Sequence, residues 1–249
     1  MKPFKFSRHP VRSSLTGALL MLSACGHSSG VPQQGEAAQS KAAVLTVFID
    51  VSGSAALIKQ PDFANRMIER VGEEISNLEL GDKIRILTLG DRSADHSFSQ
   101  LEIETGIGTR LPAARASVEL KIRQIIGQSI RTGGDRSTNI LSAMEGAQPE
   151  CTPRSTVMVV GDGIEDSDTY SVTKALRSDQ PIDLPTAAHP YLRGCRIAML
   201  GIGIAAEPGN GIGSKPLGSH QLATLTEGWS RYLQSAGASA TDLRFTSII

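Results

Sequence analysis

Hydrophobic residues along this chain follow two alternating patterns. Residues 44–49 (Val-Leu-Thr-Val-Phe-Ile) make a nearly unbroken apolar, β-branched run, and residues 84–89, 156–160 and 197–204 are similar. Such runs predict strands covered on both faces, the usual condition of a parallel sheet. Between them, apolar residues recur every three or four positions. Phe63, Met67, Val71, Ile75 and Leu78 form one stripe behind Pro61, which suits the first turn of a helix. Val118, Ile122, Ile125, Ile126 and Ile130 form a second stripe, and Leu222, Leu225, Trp229 and Leu233 a third. All three read as the core faces of helices. Leu101-Glu102-Ile103-Glu104 alternates with period two, which predicts an edge strand with one wet face. The chain is therefore expected to be α/β, a doubly wound, mostly parallel open sheet with helices on both faces and one antiparallel edge strand. Ligands of such sheets bind beyond the carboxyl ends of the strands, where the strand order reverses. Polar residues directly after strands are thus the candidates for chemistry.

The amino terminus follows a different rule. Lys2, Lys5, Arg8 and Arg12 precede a mostly apolar stretch over 15–22, and no acid occurs in the first 24 residues. The apolar stretch is about 10 residues where a membrane span needs about 20, so residues 1–24 read as a secretory signal peptide. Leu22-Ser23-Ala24-Cys25 resembles the lipobox of bacterial lipoproteins. That resemblance implies acylation of Cys25, palmitate included, and attachment of the mature chain to a membrane through lipid. Gly26 stands where inner-membrane lipoproteins often carry Asp, so the resemblance favours the periplasmic face of the outer membrane. Residues 25–42 are rich in Ser, Gly, Gln and Ala and read as the lipidated cysteine with a flexible tether. Residues 43–249 have the length of one domain.

The basic and acidic totals are equal at 25 each, so removing the signal leaves a mildly acidic body. With only 4% aromatic residues as well, it has neither the basic stripe nor the stacking surface that nucleic-acid binding requires. A nucleotide is not expected either. Gly201-Ile202-Gly203 follows a late strand and Pro208 interrupts what comes after, while no Walker sequence or nucleophile elbow is present.

Candidate chemistry concentrates in three places. Asp50-Val51-Ser52-Gly53-Ser54 follows the first strand, Ser137-Thr138-Asn139 lies in a Gly-rich loop, and Gly161-Asp162-Gly163 follows the 156–160 strand. Carboxylates and hydroxyls are hard oxygen donors, so convergence of these segments would suit Mg²⁺, Ca²⁺ or Mn²⁺. The five histidines show no zinc-ligand spacing. Asp50-x-Ser52-x-Ser54, Thr138 and Asp162 resemble the metal-ion-dependent adhesion site (MIDAS) of von Willebrand factor type A domains, whose fold is Rossmann-like, and the order of elements over 44–249 agrees. The resemblance implies that Ser52, Ser54 and Thr138 touch a divalent cation, Mg²⁺ foremost, while Asp50 and Asp162 act mostly through water. It also implies an open coordination position that accepts a carboxylate from a partner protein of the cell envelope. Gly161 departs from the family, which commonly has Thr there, and so supplies no hydroxyl. Asp50 is expected to face solvent, so that its loss would cost little packing.

Gly161-Asp162-Gly163-Ile164-Glu165-Asp166 also resembles the last motif of haloacid-dehalogenase-type phosphatases, an alternative in which Asp50 would be the nucleophile. That chemistry needs a general acid two residues on, where this chain has Ser52, whose hydroxyl is far too weak an acid. The reading adopted is a binding module and not an enzyme. Cys151 and Cys195 each lie just ahead of a predicted core strand, at the amino ends. If those strands are neighbours, export into an oxidising compartment predicts a disulfide between them.

Overall fold

The apolar runs become strands wherever the backbone can stay extended. In a computed structural model, residues 41–90, 99–206 and 214–247 are described. The signal peptide, Cys25 and nearly all of the tether lie outside them. In chain order the elements are β1 (Val44–Asp50), α1 (Ala56–Lys59), α2 (Pro61–Ser76), β2 (Lys83–Leu89), β3 (Ser99–Glu104), α3 (Leu111–Thr132), α4 (Ile140–Ala147) and β4 (Thr156–Val160). They continue with α5 (Val172–Arg177), β5 (Arg196–Leu200), β6 (Ile204–Ala206), β7 (Ser214–Pro216), α6 (Ser219–Ser235) and β8 (Leu243–Thr246). Six strands form one sheet in the order β3-β2-β1-β4-β5-β8. Only β3 is antiparallel to its neighbour in that sheet. This is the doubly wound α/β architecture expected.

Both faces of β1 are buried, which explains its continuous apolar sequence. Leu45, Val47 and Ile49 pack with Ile84, Ile86, Met158 and Val160 against α2 and α3. Phe48 turns to the other face with Leu87, Val157 and Val159, beneath α4 and α6. The helical stripes supply the cover. Phe63, Met67, Val71 and Ile75 of α2 are buried on the first face with Val118, Ile122, Ile125 and Ile126 of α3. Leu225, Trp229 and Leu233 of α6 are buried on the second. Burying one such side chain contributes about 1.5–3 kcal/mol, so these stripes decide where the helices lie.

Three details differ from expectation. The 197–204 run is broken: β5 ends at Leu200, and Gly201 and Gly203 turn the chain at φ of 87° and 75°. The run stays apolar because Ile202, between the glycines, is buried in the core. Its last residue, Ile204, opens a small antiparallel ribbon, β6 with β7. Residues 207–213 lie outside the described residues. Ile130, at the end of its stripe, is 57% exposed, and Leu78 lies beyond the end of α2 and is only half-buried. Among the described residues, no helix is long and apolar enough to cross a membrane.

The strand order reverses at β1, which has β2 on one side and β4 on the other. Ile49 pairs with Val160, so Asp50 and Gly161-Asp162 leave the sheet side by side. At the opposite, amino-terminal end, β4 and β5 begin as parallel neighbours, with Thr156 beside Arg196. Cys151 and Cys195 sit just ahead of them with Cα atoms 4.7 Å apart, and they form the expected disulfide. The bond spans 44 residues. Chain entropy gives it at most about 4 kcal/mol. Its loss is expected to lower Tm by up to about 8–16 °C in a domain of this size. Calorimetry before and after reduction measures this.

Candidate metal centre

Each segment singled out in the sequence is built onto the carboxyl end of a strand or onto a loop beside one. Asp50 closes β1, and its Oδ1 accepts the backbone N–H of Ser52 at 2.8 Å, the local turn that Asp-x-Ser favours. Ser52 is buried and its Oγ lies 3.3 Å from Oγ of Ser54, which is exposed. The loop at 133–138 runs alongside: Gly53 N–H donates to the Asp135 carbonyl at 2.7 Å, and Asp135 N–H to the Val51 carbonyl at 2.9 Å. A Cβ on Gly134 would lie 2.7 Å from the Gly53 Cα, so glycine, here at φ of 74°, permits the two backbones to touch. Thr138, at the end of this loop, is buried.

The third segment is tied to the second. Thr138 and Asp166 exchange backbone hydrogen bonds of 3.3 and 3.0 Å. Glu165 is fully buried, and its Oε2 accepts the N–H groups of Ile140 at 2.6 Å and Leu141 at 3.2 Å, the first turn of α4. A carboxylate at a helix N-terminus satisfies free donors and opposes the positive end of the helix dipole. Asp162 is also buried, and its Oδ1 accepts Ile164 N–H at 2.9 Å. From below, the Trp229 indole N–H donates to the Gly163 carbonyl at 2.7 Å. The structure thus brings the backbones carrying Asp50, Ser52, Ser54, Thr138 and Asp162 to one edge of the sheet.

Asp50 does not face solvent as expected, because it is fully buried. Its Oδ2 and that of Asp162 are both enclosed without a hydrogen-bond partner. Burial pushes the Asp50 carboxyl up from 3.8 to about 6, against the hydrogen bonds from Ser52, with the Asp135 charge adding to the rise. Burial drives the Asp162 carboxyl well above its ordinary value, and the Asp50 charge adds to that. Two inward carboxylate oxygens without partners, beside hydroxyls, fit a hard divalent cation. Among the described residues, no group of three or more His, Cys, Asp or Glu could hold a metal, so an all-carboxylate cage is not on offer.

Gly161 has a reason of its own. A Cβ there would lie 2.5 Å from Cβ of Asp50 and 2.9 Å from its Oδ2, so Asp50 fills the space that a threonine side chain would need. Two residues that shape the site escape sequence reasoning. Asp135 raises the Asp50 pKa and points at Gly90 beyond β2, where a Cβ would meet its Oδ2 at 2.0 Å. Its signal was the acid following Gly133-Gly134. Glu165 was visible only as part of an acidic motif, not as the cap of α4.

The raised carboxyl pKa values make stability depend on pH. A carboxyl that binds its proton more tightly when folded favours the folded state at low pH. For Asp50 the contribution is complete below about pH 4 and is lost as pH rises through about 6. Asp50→Asn keeps an acceptor for Ser52 N–H and removes the charge. In EDTA the variant is expected to melt above the parent at pH 7.5, with the difference closing near pH 4. Thermal unfolding at the two pH values checks this, and a variant that melts lower at pH 7.5 contradicts it.

No family model matches the chain, and no curated protein does. Among solved structures, an aerotolerance-related membrane protein from Bacteroides fragilis, crystallised with multiple mutations to serine, is similar at 16% identity. The match covers 83% of this chain and 92% of that one, with a TM-score of 0.45.

Proposed function

We propose that this chain is a lipid-anchored envelope protein whose domain binds a divalent cation and, through it, an acidic group on a partner protein. The observation that carries the reading is the pair of buried carboxylate oxygens, on Asp50 and Asp162, that meet no partner at adjacent strand ends. In this reading Ser52, Ser54 and Thr138 hold Mg²⁺, or Ca²⁺ or Mn²⁺ in its place, with Asp50 and Asp162 behind them. A cation held largely by neutral hydroxyls keeps residual positive charge and attracts an outside carboxylate. Ser54 supports the arrangement, since it is the exposed member of the set and leaves that side of the site open to a partner. Binding, with no bond made or broken, is the whole activity proposed.

Trp229 is the only tryptophan in the chain and holds the carbonyl next to Asp162, so it reports on the site. Titration with Mg²⁺ is expected to change its emission saturably, EDTA to reverse the change, and Asp50→Ala to abolish it while circular dichroism stays the same. Unchanged cation affinity of Asp50→Ala by calorimetry would defeat the reading. Capture of a partner from envelope extract is expected with Mg²⁺ and not with EDTA.

The anchor is tested separately. Without acyl chains, Cys25→Ser is expected to move from the membrane pellet to the soluble fraction. A variant that stays in the pellet after high-salt and EDTA washes counts against lipid attachment.

A further inference from the structure

On the α2 and α3 side of the sheet, α1, α2 and α3 leave an apolar groove between them. Its walls are Leu57, Ile58, Ala64 and Ile68 on one side and Ile126 and Ile130 on the other, and it encloses about 250 Å³. That is less than the roughly 300–1,000 Å³ of small-molecule sites, and suits one bulky side chain. Ile130 stands 57% exposed at its rim, although it belongs to an otherwise buried stripe.

The groove is continuous with the cation edge. Gly53, which joins Ser52 to Ser54, has its Cα 2.7 Å from the point where a Cβ of Gly134 would stand. Ile58 Cδ1 lies 2.9 Å from where a Cβ of Gly134 would be, in the loop that ends at Thr138. The end of α3 leads directly into that loop. Charge points to the occupant. No acid lines the groove. Arg123 is the one charged residue lining the groove, and its Nη1 donates to Asn65 Oδ1 at 2.7 Å, joining α3 to α2. The Arg131 guanidinium lies over Gly127 of the lining, 3.6 Å from where a Cβ would stand. Asp62 and Glu69, the acids next in sequence to lining residues, are exposed and are not part of the lining.

We propose that this groove is the second half of the partner site and receives a bulky apolar side chain from the acidic segment whose carboxylate meets the cation. The inference rests on the cation reading above. An extended peptide rises about 3.3 Å per residue and points alternate side chains the same way. A side chain two residues from the carboxylate therefore reaches roughly 7 Å, enough to pass from Gly53 Cα to Ile58 Cδ1, which lie 2.7 and 2.9 Å from one common point. The segment recognised is Asp or Glu, any residue, then Leu, Ile, Met or an aromatic, with Arg123 and Arg131 favouring further acids nearby.

The test uses the detergent-solubilised full chain and fluorescein-labelled Gly/Ser peptides that hold one Glu, with a Leu walked through successive positions on either side. In Mg²⁺, anisotropy is expected to show tightest binding with Leu two positions from Glu, about tenfold over the peptide without Leu, and none of this in EDTA. Ile130→Ser, at an exposed position, is expected to erase the Leu preference while leaving Tm and Mg²⁺ affinity by calorimetry unchanged. A flat positional profile, no peptide binding by Mg²⁺-loaded protein, or a Leu preference that survives in Ile130→Ser overturns the groove assignment. Absence of Mg²⁺ binding by the parent overturns the cation reading itself, so the two failures are told apart.

Discussion

Two carboxylates leave neighbouring parallel strands with one oxygen each turned inward and unpartnered, and the architecture of this edge is arranged around them. Ionised together in a low-dielectric pocket, Asp50 and Asp162 repel each other and lose hydration, as their raised pKa values record. A lysine or arginine would be the ordinary remedy, yet among the described residues neither carboxylate lies in an ion pair. The surroundings offer hydroxyls and backbone N–H groups instead, which orient the carboxylates without neutralising them. Such a site is costly when empty, and in the function proposed above a cation would relieve that cost. Gly161 belongs to the same constraint, because Asp50 occupies the volume any side chain at that position would need.

Holding the pair in place is the work of three loops that would each be loose alone. The 51–53 and 133–135 segments exchange backbone hydrogen bonds, Thr138 pairs with Asp166, and Glu165 grips the first turn of α4. Trp229 carries the restraint into the core from α6. Hydroxyls spread over separate loops can form one site of fixed size only if the loops are bonded to each other. The same bonding brings α1 and the end of α3 together beside the site, and that is what makes the apolar groove its neighbour.

Stability is secured at the other end of the sheet. Asp82 accepts the N–H groups of Ala43 and Glu79, both at 2.8 Å, and pairs with Arg154 at 2.7 Å, fastening the starts of β1, β2 and β4. Ser155 Oγ accepts Val44 N–H at 3.1 Å, and the Cys151–Cys195 bond joins the approaches to β4 and β5. Buried Asp82 has a guanidinium beside its backbone donors, whereas Asp50 has the Ser52 N–H and no guanidinium. Two buried aspartates near opposite ends of the central strands thus have different roles, distinguished by what surrounds each one.

What the sequence determined by itself is whatever depends on local order. Continuous apolar runs and 3.6-residue stripes located the main strands and the longest helices, because burial of a strand or helix face leaves a periodic trace. The same order placed Asp50, Ser52, Ser54, Thr138 and Asp162 after strands or in a loop, and set both cysteines ahead of strands that proved to be neighbours. The four residues of β8 were too short to carry a period, and the break after Leu200 was masked because Ile202 stays buried while the glycines turn the backbone. Burial of Asp50, the missing partners of the two Oδ2 atoms, the grip of Glu165 on α4 and the α2–α3 groove were decided by tertiary structure alone. Each of these depends on distances between residues far apart in the chain, and hydrophobic periodicity encodes which face of an element is covered, not which distant residue covers it.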